Sequence, residues 1–233
     1  MKTIGILGGM SWESTVTYYQ LLNRMVRERL GGLHSADILM RSFDFAPIAD
    51  LQASGDWESA NRLLIDSARA LETAGAECLL IATNTMHIGA DEIQAALSIP
   101  LLHIADVTAQ AIKARGSTAP LLLATRFTME GAFYVGRMRD RHGISVHVPE
   151  KHERDTVHTI IYEELCQGVV SPASRARYLG IIEAAKARGA DGVIFGCTEV
   201  GLLLSPDDID LPAFDTTELH ARAAVEFAIS DGG

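Results

Sequence analysis

The chain has 233 residues, 48% of them hydrophobic and 21% charged, with a formal net charge of −10. That composition suits one large globular domain or two small ones. No basic run gathers the opposite charge, so it disfavours nucleic acid and anionic lipid as partners. The longest apolar stretches fall far short of the roughly 20 residues that a membrane span requires, so no membrane partner is expected. Met1-Lys2-Thr3 enters a strand-like run at once, with no signal peptide ahead of it. Cys78, Cys166 and Cys197 have neither disulfide nor zinc spacing. Together these features point to a cytoplasmic protein with reduced thiols.

In chain order, the apolar periodicity predicts a strand at Thr3–Leu7, a helix at Glu13–Leu30, a strand at Ala36–Met40, a helix at Trp57–Ala74 and a strand at Cys78–Ala82. A helix at Ile88–Leu97 and strands at Pro100–Ile104 and Pro120–Ala124 follow. Next come a helix at Met129–Arg141, a strand at Ser145–Val148, helices at Arg154–Cys166 and Ser174–Ala187, a strand at Gly192–Phe195 and a last helix at Thr217–Ile229. Such alternation implies an α/β fold with parallel sheets covered by helices. Ligands in such folds bind at the carboxyl ends of the strands.

An internal repeat refines this picture. Residues 75–85 read GAECLLIATNT and residues 189–199 read GADGVIFGCTE; they align without gaps, so that Thr83 corresponds to Cys197. A weaker echo pairs Ile4–Gly9 with Leu121–Thr125. The expected architecture is therefore two Rossmann-like lobes related by a pseudo-twofold, with an active-site cleft between them. The first lobe would comprise residues 1–99 plus 210–233 and the second residues 100–209, with the segment from Pro206 to Pro212 as the second crossing.

Thr83-Asn84-Thr85 and Gly196-Cys197-Thr198-Glu199 stand where a strand ends and a helix begins. Amides there are unpaired and face a ligand, a setting that suits a carboxylate and lowers a thiol pKa from about 8.5. Cys197 is thus expected to be partly thiolate near neutrality. Cys78 and Cys166 lack that setting and are expected to be structural. A thiolate beside an amino acid can remove its α-proton if amides hold the carboxylate, and a second acid on the other face returns a proton with inversion. Pyridoxal chemistry needs a Schiff-base lysine, and Lys2, Lys113, Lys151 and Lys186 lie in unsuitable positions. The run Gly5-x-x-Gly8-Gly9 lacks dinucleotide spacing, and the histidines at 142, 147, 152 and 158 are too spread for a metal site, so neither cofactor nor metal is expected.

GILGGMSW at 5–12, TNTMH at 83–87 and FGCTE at 195–199, with SFDF at 42–45 and LATRFTM at 123–129, closely resemble the aspartate/glutamate racemases, which use no pyridoxal phosphate. The resemblance covers almost the whole chain. It implies an isomerase acting on a small amino acid, two Rossmann-like lobes and a homodimer. In most of the family a cysteine precedes Asn-Thr in the first lobe; here Thr83 takes that place, while Cys197 matches the second cysteine. This pair is closest to the branch of L-aspartate/glutamate-specific or broad-specificity amino-acid racemases. A threonine hydroxyl resembles water in acidity, with a pKa of about 15.7, so Thr83 would relay a proton or orient substrate. The resemblance places Asn84, Thr85 and Thr198 at the α-carboxylate and lines the cleft with Met10, Ser11 and Thr125. His87 is a candidate proton relay. Aspartate-specific members carry basic residues near Gln52 and Glu164; neither is basic here, and Arg41 and Arg126 are the nearest substitutes by sequence. A decarboxylase of the same superfamily that uses a single cysteine, or a non-catalytic amino-acid-binding protein, is an alternative.

Overall fold

Strand β1 (Ile4–Gly8) sends alternate side chains to opposite faces of its sheet. Ile4 and Ile6 enter one apolar cluster with Tyr18, Leu22 and Val26, and Leu7 enters another with Ile48, Leu64 and Ala68. With both faces buried, the strand reads as continuously apolar, as a parallel sheet requires. The computed structural model describes residues 1–230 and divides into two units, one of Met1–Ile104 joined by the chain from His220, the other of Ala105–Leu219.

In the first unit β1 is followed by α1 (Trp12–Leu30), β2 (Ile38–Ser42), α2 (Phe45–Ser54), α3 (Trp57–Thr73) and β3 (Cys78–Ile81). A 3-10 turn (Thr85–Gly89) and α4 (Ala90–Ala95) complete it before the chain leaves. The strand order is β2-β1-β3, all parallel. In the second unit, α5 (Ile104–Ala114) and β4 (Leu121–Leu123) precede α6 (Arg126–Glu130), α7 (Ala132–His142) and α8 (Lys151–Glu163). A 3-10 turn (Leu165–Gln167), α9 (Pro172–Ala187), β5 (Val193–Phe195), α10 (Val200–Leu203), a 3-10 turn (Pro206–Asp208) and β6 (Ala213–Asp215) follow. Here the order is β4-β5-β6, again parallel. The last helix, α11 (Thr216–Ile229), starts in the second unit and packs Ala221, Ala224 and Val225 into the core of the first.

The repeat seen in sequence is a repeat in construction. The Glu77 carboxylate accepts from the Thr3 amide at 2.7 Å, and the Asp191 carboxylate accepts from the Thr118 amide at the same distance. In each unit the Gly-Ala-acid turn thus ties down the start of the neighbouring strand. At the far end the Ala82 amide donates to Leu7 O at 2.9 Å, and its repeat counterpart Gly196 donates to Leu123 O at 2.8 Å. Asp191 also accepts from Ser117 Oγ at 2.6 Å and the Ala119 amide at 3.0 Å, and these bonds hold its carboxyl below the ordinary range against the opposing effect of burial. Asp191→Ala strands four donors of this turn, the Thr118 hydroxyl at 3.2 Å included, and is expected to cost about 2 kcal/mol, seen as a fall of roughly 6 °C in melting temperature.

Several predicted elements are corrected. Pro100–Ile104 and Ser145–Val148 are not full strands; each makes one isolated parallel bridge, Leu101 to Leu79 and His147 to Leu121. Pro100 has no amide, the Leu101 amide is taken by Gln94 Oε1 at 2.7 Å, and Ile104 already begins α5. The helix predicted at Met129–Arg141 is two helices that break at Gly131, where a Cβ would meet Phe127 O at 2.5 Å. The one predicted at Ile88–Leu97 opens as a 3-10 turn and ends at Ala95. Helices α2 and α5 and strand β6 were not foreseen.

Among the described residues no helix is long and apolar enough to cross a membrane, and no group of three or more His, Cys, Asp or Glu is arranged to hold a metal ion.

Candidate active site

In the first unit, β1 and β3 are neighbours, so the residues that follow them are brought to the same end of the sheet. After β1, Met10 and Ser11 are both buried; Ser11 caps α1 by accepting from the Ser14 amide at 3.4 Å. Gly9, at φ +85°, lets the chain turn against the backbone of Phe43, where a Cβ would sit 2.3 Å from Phe43 N. After β3, Thr83 is half-buried while Asn84 and Thr85 are buried. Gln52, also buried, reaches this segment from α2 with Nε2 3.2 Å from Met86 Sδ.

His87 is 2% exposed and wedged beneath Thr83. Its Nδ1 lies 2.8 Å from Thr83 O, and its Nε2 accepts from the Ile104 amide at 3.3 Å. A carbonyl only accepts and an amide only donates, so the neutral ring carries its proton on Nδ1. His87 therefore acts in this geometry as a strut between the Thr83 carbonyl and the start of α5. Its ring also lies 4.8 Å from that of His103 and 5.7 Å from that of His220.

In the second unit the equivalent strand ends carry Thr125, which precedes α6 with its hydroxyl 3.3 Å from Thr128 Oγ1, and Cys197, which follows β5. The Cys197 thiol donates to Glu199 Oε2 at 2.8 Å, and Glu199 is only 3% exposed. This reverses the expectation of a lowered thiol pKa. Burial pushes the Cys197 thiol well above its ordinary range, and the Glu199 carboxylate and the neighbouring Cys166 push it further. Cys197 is half-buried by exposed area, yet its enclosure is dense enough for burial to dominate. In the unliganded protein it is a neutral thiol at pH 7. Glu199 stands in the FGCTE motif but had no role in the sequence argument; its spacing of two from the cysteine was the available signal.

Thr198 accepts from Thr217 Oγ1 at 3.0 Å, leaving its own hydroxyl proton to donate elsewhere. Thr216 fixes the Phe195 carbonyl at 2.8 Å. The N-terminus of α11 thus braces the loop that carries Cys197. Burial pushes the Cys78 thiol up to about 12, as befits an inert core residue.

The cations proposed from sequence are placed less favourably. Arg41 is exposed and lies over the Phe43 ring at 5.1 Å. Arg126 is 47% exposed at its side chain and pairs loosely with Asp155 at 3.8 Å. Glu164, where a basic residue was noted as absent, accepts from Ser174 Oγ at 2.6 Å and so belongs to the α8–α9 packing.

A family model described as Asp/Glu/Hydantoin racemase matches residues 7–224. The broad specificity amino-acid racemase RacX of Bacillus subtilis is 26% identical over 225 residues, 95% of this chain and 96% of that one. A Yersinia pestis structure assigned to the Asp/Glu racemases is 51% identical with a TM-score of 0.93, covering 99% of this chain and 100% of its own. The structure of an aspartate racemase homologue from Pyrococcus horikoshii is 35% identical with a TM-score of 0.86, covering 98% and 99%.

Proposed function

The chain belongs to the Asp/Glu/hydantoin racemase family, and on that premise we propose that Cys197 and Thr83 serve the two faces of the α-carbon in a cofactor-independent amino-acid racemase, an isomerase. The observation that carries this assignment is the thiol–carboxylate pair at the end of β5, 2.8 Å long and set on the repeat counterpart of Thr83. A neutral thiol is in the right state to give a proton to a carbanion. For the reverse step it passes its proton to the Glu199 carboxylate, and the resulting thiolate takes the α-proton. On the other face the Thr83 hydroxyl is too weak an acid to act alone, so it relays a proton from water while His87 holds its backbone in place.

Asn84, Thr85 and Thr198 are proposed to hold the α-carboxylate, and the Thr198 hydroxyl is poised to donate because Thr217 supplies the proton between the two oxygens. Met10, Ser11 and Gln52 of the first unit and Thr125 of the second are buried and are proposed to line the substrate site. The mechanism requires Thr83 and Cys197 to reach one α-carbon.

Proton NMR in deuterium oxide with a panel of L- and D-amino acids tests the assignment. Loss of the α-proton signal with appearance of the opposite enantiomer is expected for aspartate or glutamate. An absence of exchange across the whole panel would refute it, and carbon dioxide release from malonate-type acids would indicate a decarboxylase. Thr83→Cys installs a true acid on the weaker face and is expected to raise turnover from the poorer enantiomer by about tenfold or more, measured by circular dichroism of the product mixture.

We place the enzyme in the cytoplasm, in keeping with cysteines that form no disulfide among the described residues. We also propose a homodimer, for which the exposed Trp12, Val16 and Tyr19 on α1 offer an apolar contact face. Light scattering after size exclusion decides the second point.

A further inference from the structure

His158 stands on α8 one turn before Tyr162, so the two share a helix face, and their rings lie 4.7 Å apart. Phe127 packs edge-on with the imidazole at 5.8 Å. The Arg126 amide, next to Thr125 at the end of β4, donates to His158 Nδ1 at 3.3 Å. That bond makes Nδ1 the acceptor and leaves the proton of the neutral ring on Nε2. Nε2 is a donor with no hydrogen-bond partner among the described residues, on a half-buried ring in contact with two aromatic rings. Burial, then Arg126, lower the His158 pKa against the weaker opposing pull of Asp155 and Glu130, which favours this neutral donor form.

The Arg126 amide that holds His158 follows β4, and Cys197 follows β5, the strand paired with β4. Burial pushes the Tyr162 phenol well above its ordinary range, and the nearby Cys197, Cys166 and Glu199 push it further, in that order. Tyr162 therefore lies within electrostatic reach of the Cys197–Glu199 pair, and the His158 ring sits tilted against it. Glu164, which would carry a cation in a strictly aspartate-specific relative, is engaged with Ser174.

We propose that the Nε2–H of His158, set by the Arg126 amide and the Tyr162 ring, is the donor that recognises an oxygen acceptor at the end of the substrate's side chain. His158 is a specificity residue, not a proton carrier, and the inference rests on the racemase assignment above. A neutral donor serves an amide as readily as a carboxylate, so both classes of side chain are expected to be accepted over aliphatic ones.

The test compares kcat/KM for α-proton exchange with aspartate, asparagine, glutamate and glutamine against alanine and 2-aminobutyrate. In His158→Phe, which keeps a flat ring without the donor, the four oxygen-bearing substrates are expected to lose about tenfold or more, mainly through KM. The two aliphatic ones should stay within about threefold. His158→Gln, which restores a neutral N–H, should recover a large part of the loss. His158→Leu serves the same comparison if the phenylalanine variant does not fold. A uniform fall across all six substrates, an unchanged profile, or a wild type that handles 2-aminobutyrate as well as aspartate and asparagine would overturn the proposal. A wild type that exchanges none of the six defeats the racemase assignment and this inference together, whereas wild-type exchange with an unaltered His158→Phe profile defeats this inference alone.

Discussion

Cys197→Ser is expected to lower α-proton exchange by at least about 10³-fold while leaving the melting temperature within a few degrees of wild type. Serine is nearly isosteric with cysteine and keeps a donor for Glu199 Oε2, so the bond at the end of β5 has a replacement. What changes is acidity. A hydroxyl ionises near the range of water, about pKa 15.7, so Glu199 cannot usefully deprotonate it. The thiol, although raised by burial and by the Glu199 charge, starts several units lower. The companion variant Glu199→Gln separates the two partners. It removes the proton acceptor and relieves the charge that raises the thiol, so its exchange should be impaired by a smaller factor and its rate should rise more steeply with pH. Proton NMR in deuterium oxide across pH 6–9 measures both. Exchange in Cys197→Ser within about tenfold of wild type would remove the sulfur from the mechanism.

Acidification from pH 7 to pH 4 is expected to strip about 3 kcal/mol of stability from the first unit through His220 alone. Its ring is fully buried, with Nδ1 2.9 Å from Tyr18 Oη and Nε2 2.6 Å from Leu102 O. The carbonyl can only accept, so Nε2 carries the proton and Nδ1 accepts from the phenol. Burial lowers the pKa from 6.5 to about 4, only partly opposed by the Leu102 carbonyl. A histidine with a depressed folded pKa is protonated first in the unfolded chain. Its contribution is therefore complete above about pH 6.5 and is lost as the pH falls towards 4. Urea unfolding at pH 7 and pH 4.5 measures this. His220→Gln should be less stable at pH 7, because it loses ring packing, yet show a visibly flatter dependence on pH. Parallel dependences in the two proteins would show that His220 is not the titrating group.

Much of this architecture was legible in the residues. The duplicated Gly-Ala-acid segments marked β3 and β5, and period and burial agree because both sheets are covered on two faces. The strand-end position of Thr83 and Cys197 followed from the same alignment. What escaped was set by direction more than by pattern. Pro100–Ile104 and Ser145–Val148 are apolar enough for strands, but each makes a single bridge, the first because Pro100 lacks an amide and Gln94 takes that of Leu101. The thiol was expected to be acidic because strand-end amides surround it. Whether the Glu199 carboxylate turns towards the sulfur depends on the turn after Thr198, and it does turn, with the opposite effect on acidity. His158 carried no motif at all; its relevance comes from the way α8 passes the end of β4.

The composition of the first unit bears on how the protein is made. Its core is closed by Ala221, Ala224, Val225 and Ala228, and the Lys2 amide donates to Ala228 O at 2.8 Å. The ribosome supplies these residues only after the whole of the second unit. The second unit is continuous in sequence, so during translation it can finish folding while the unit that was begun first still waits for its final helix. Until α11 emerges, the apolar face that it covers stays open to chaperones and to other nascent chains.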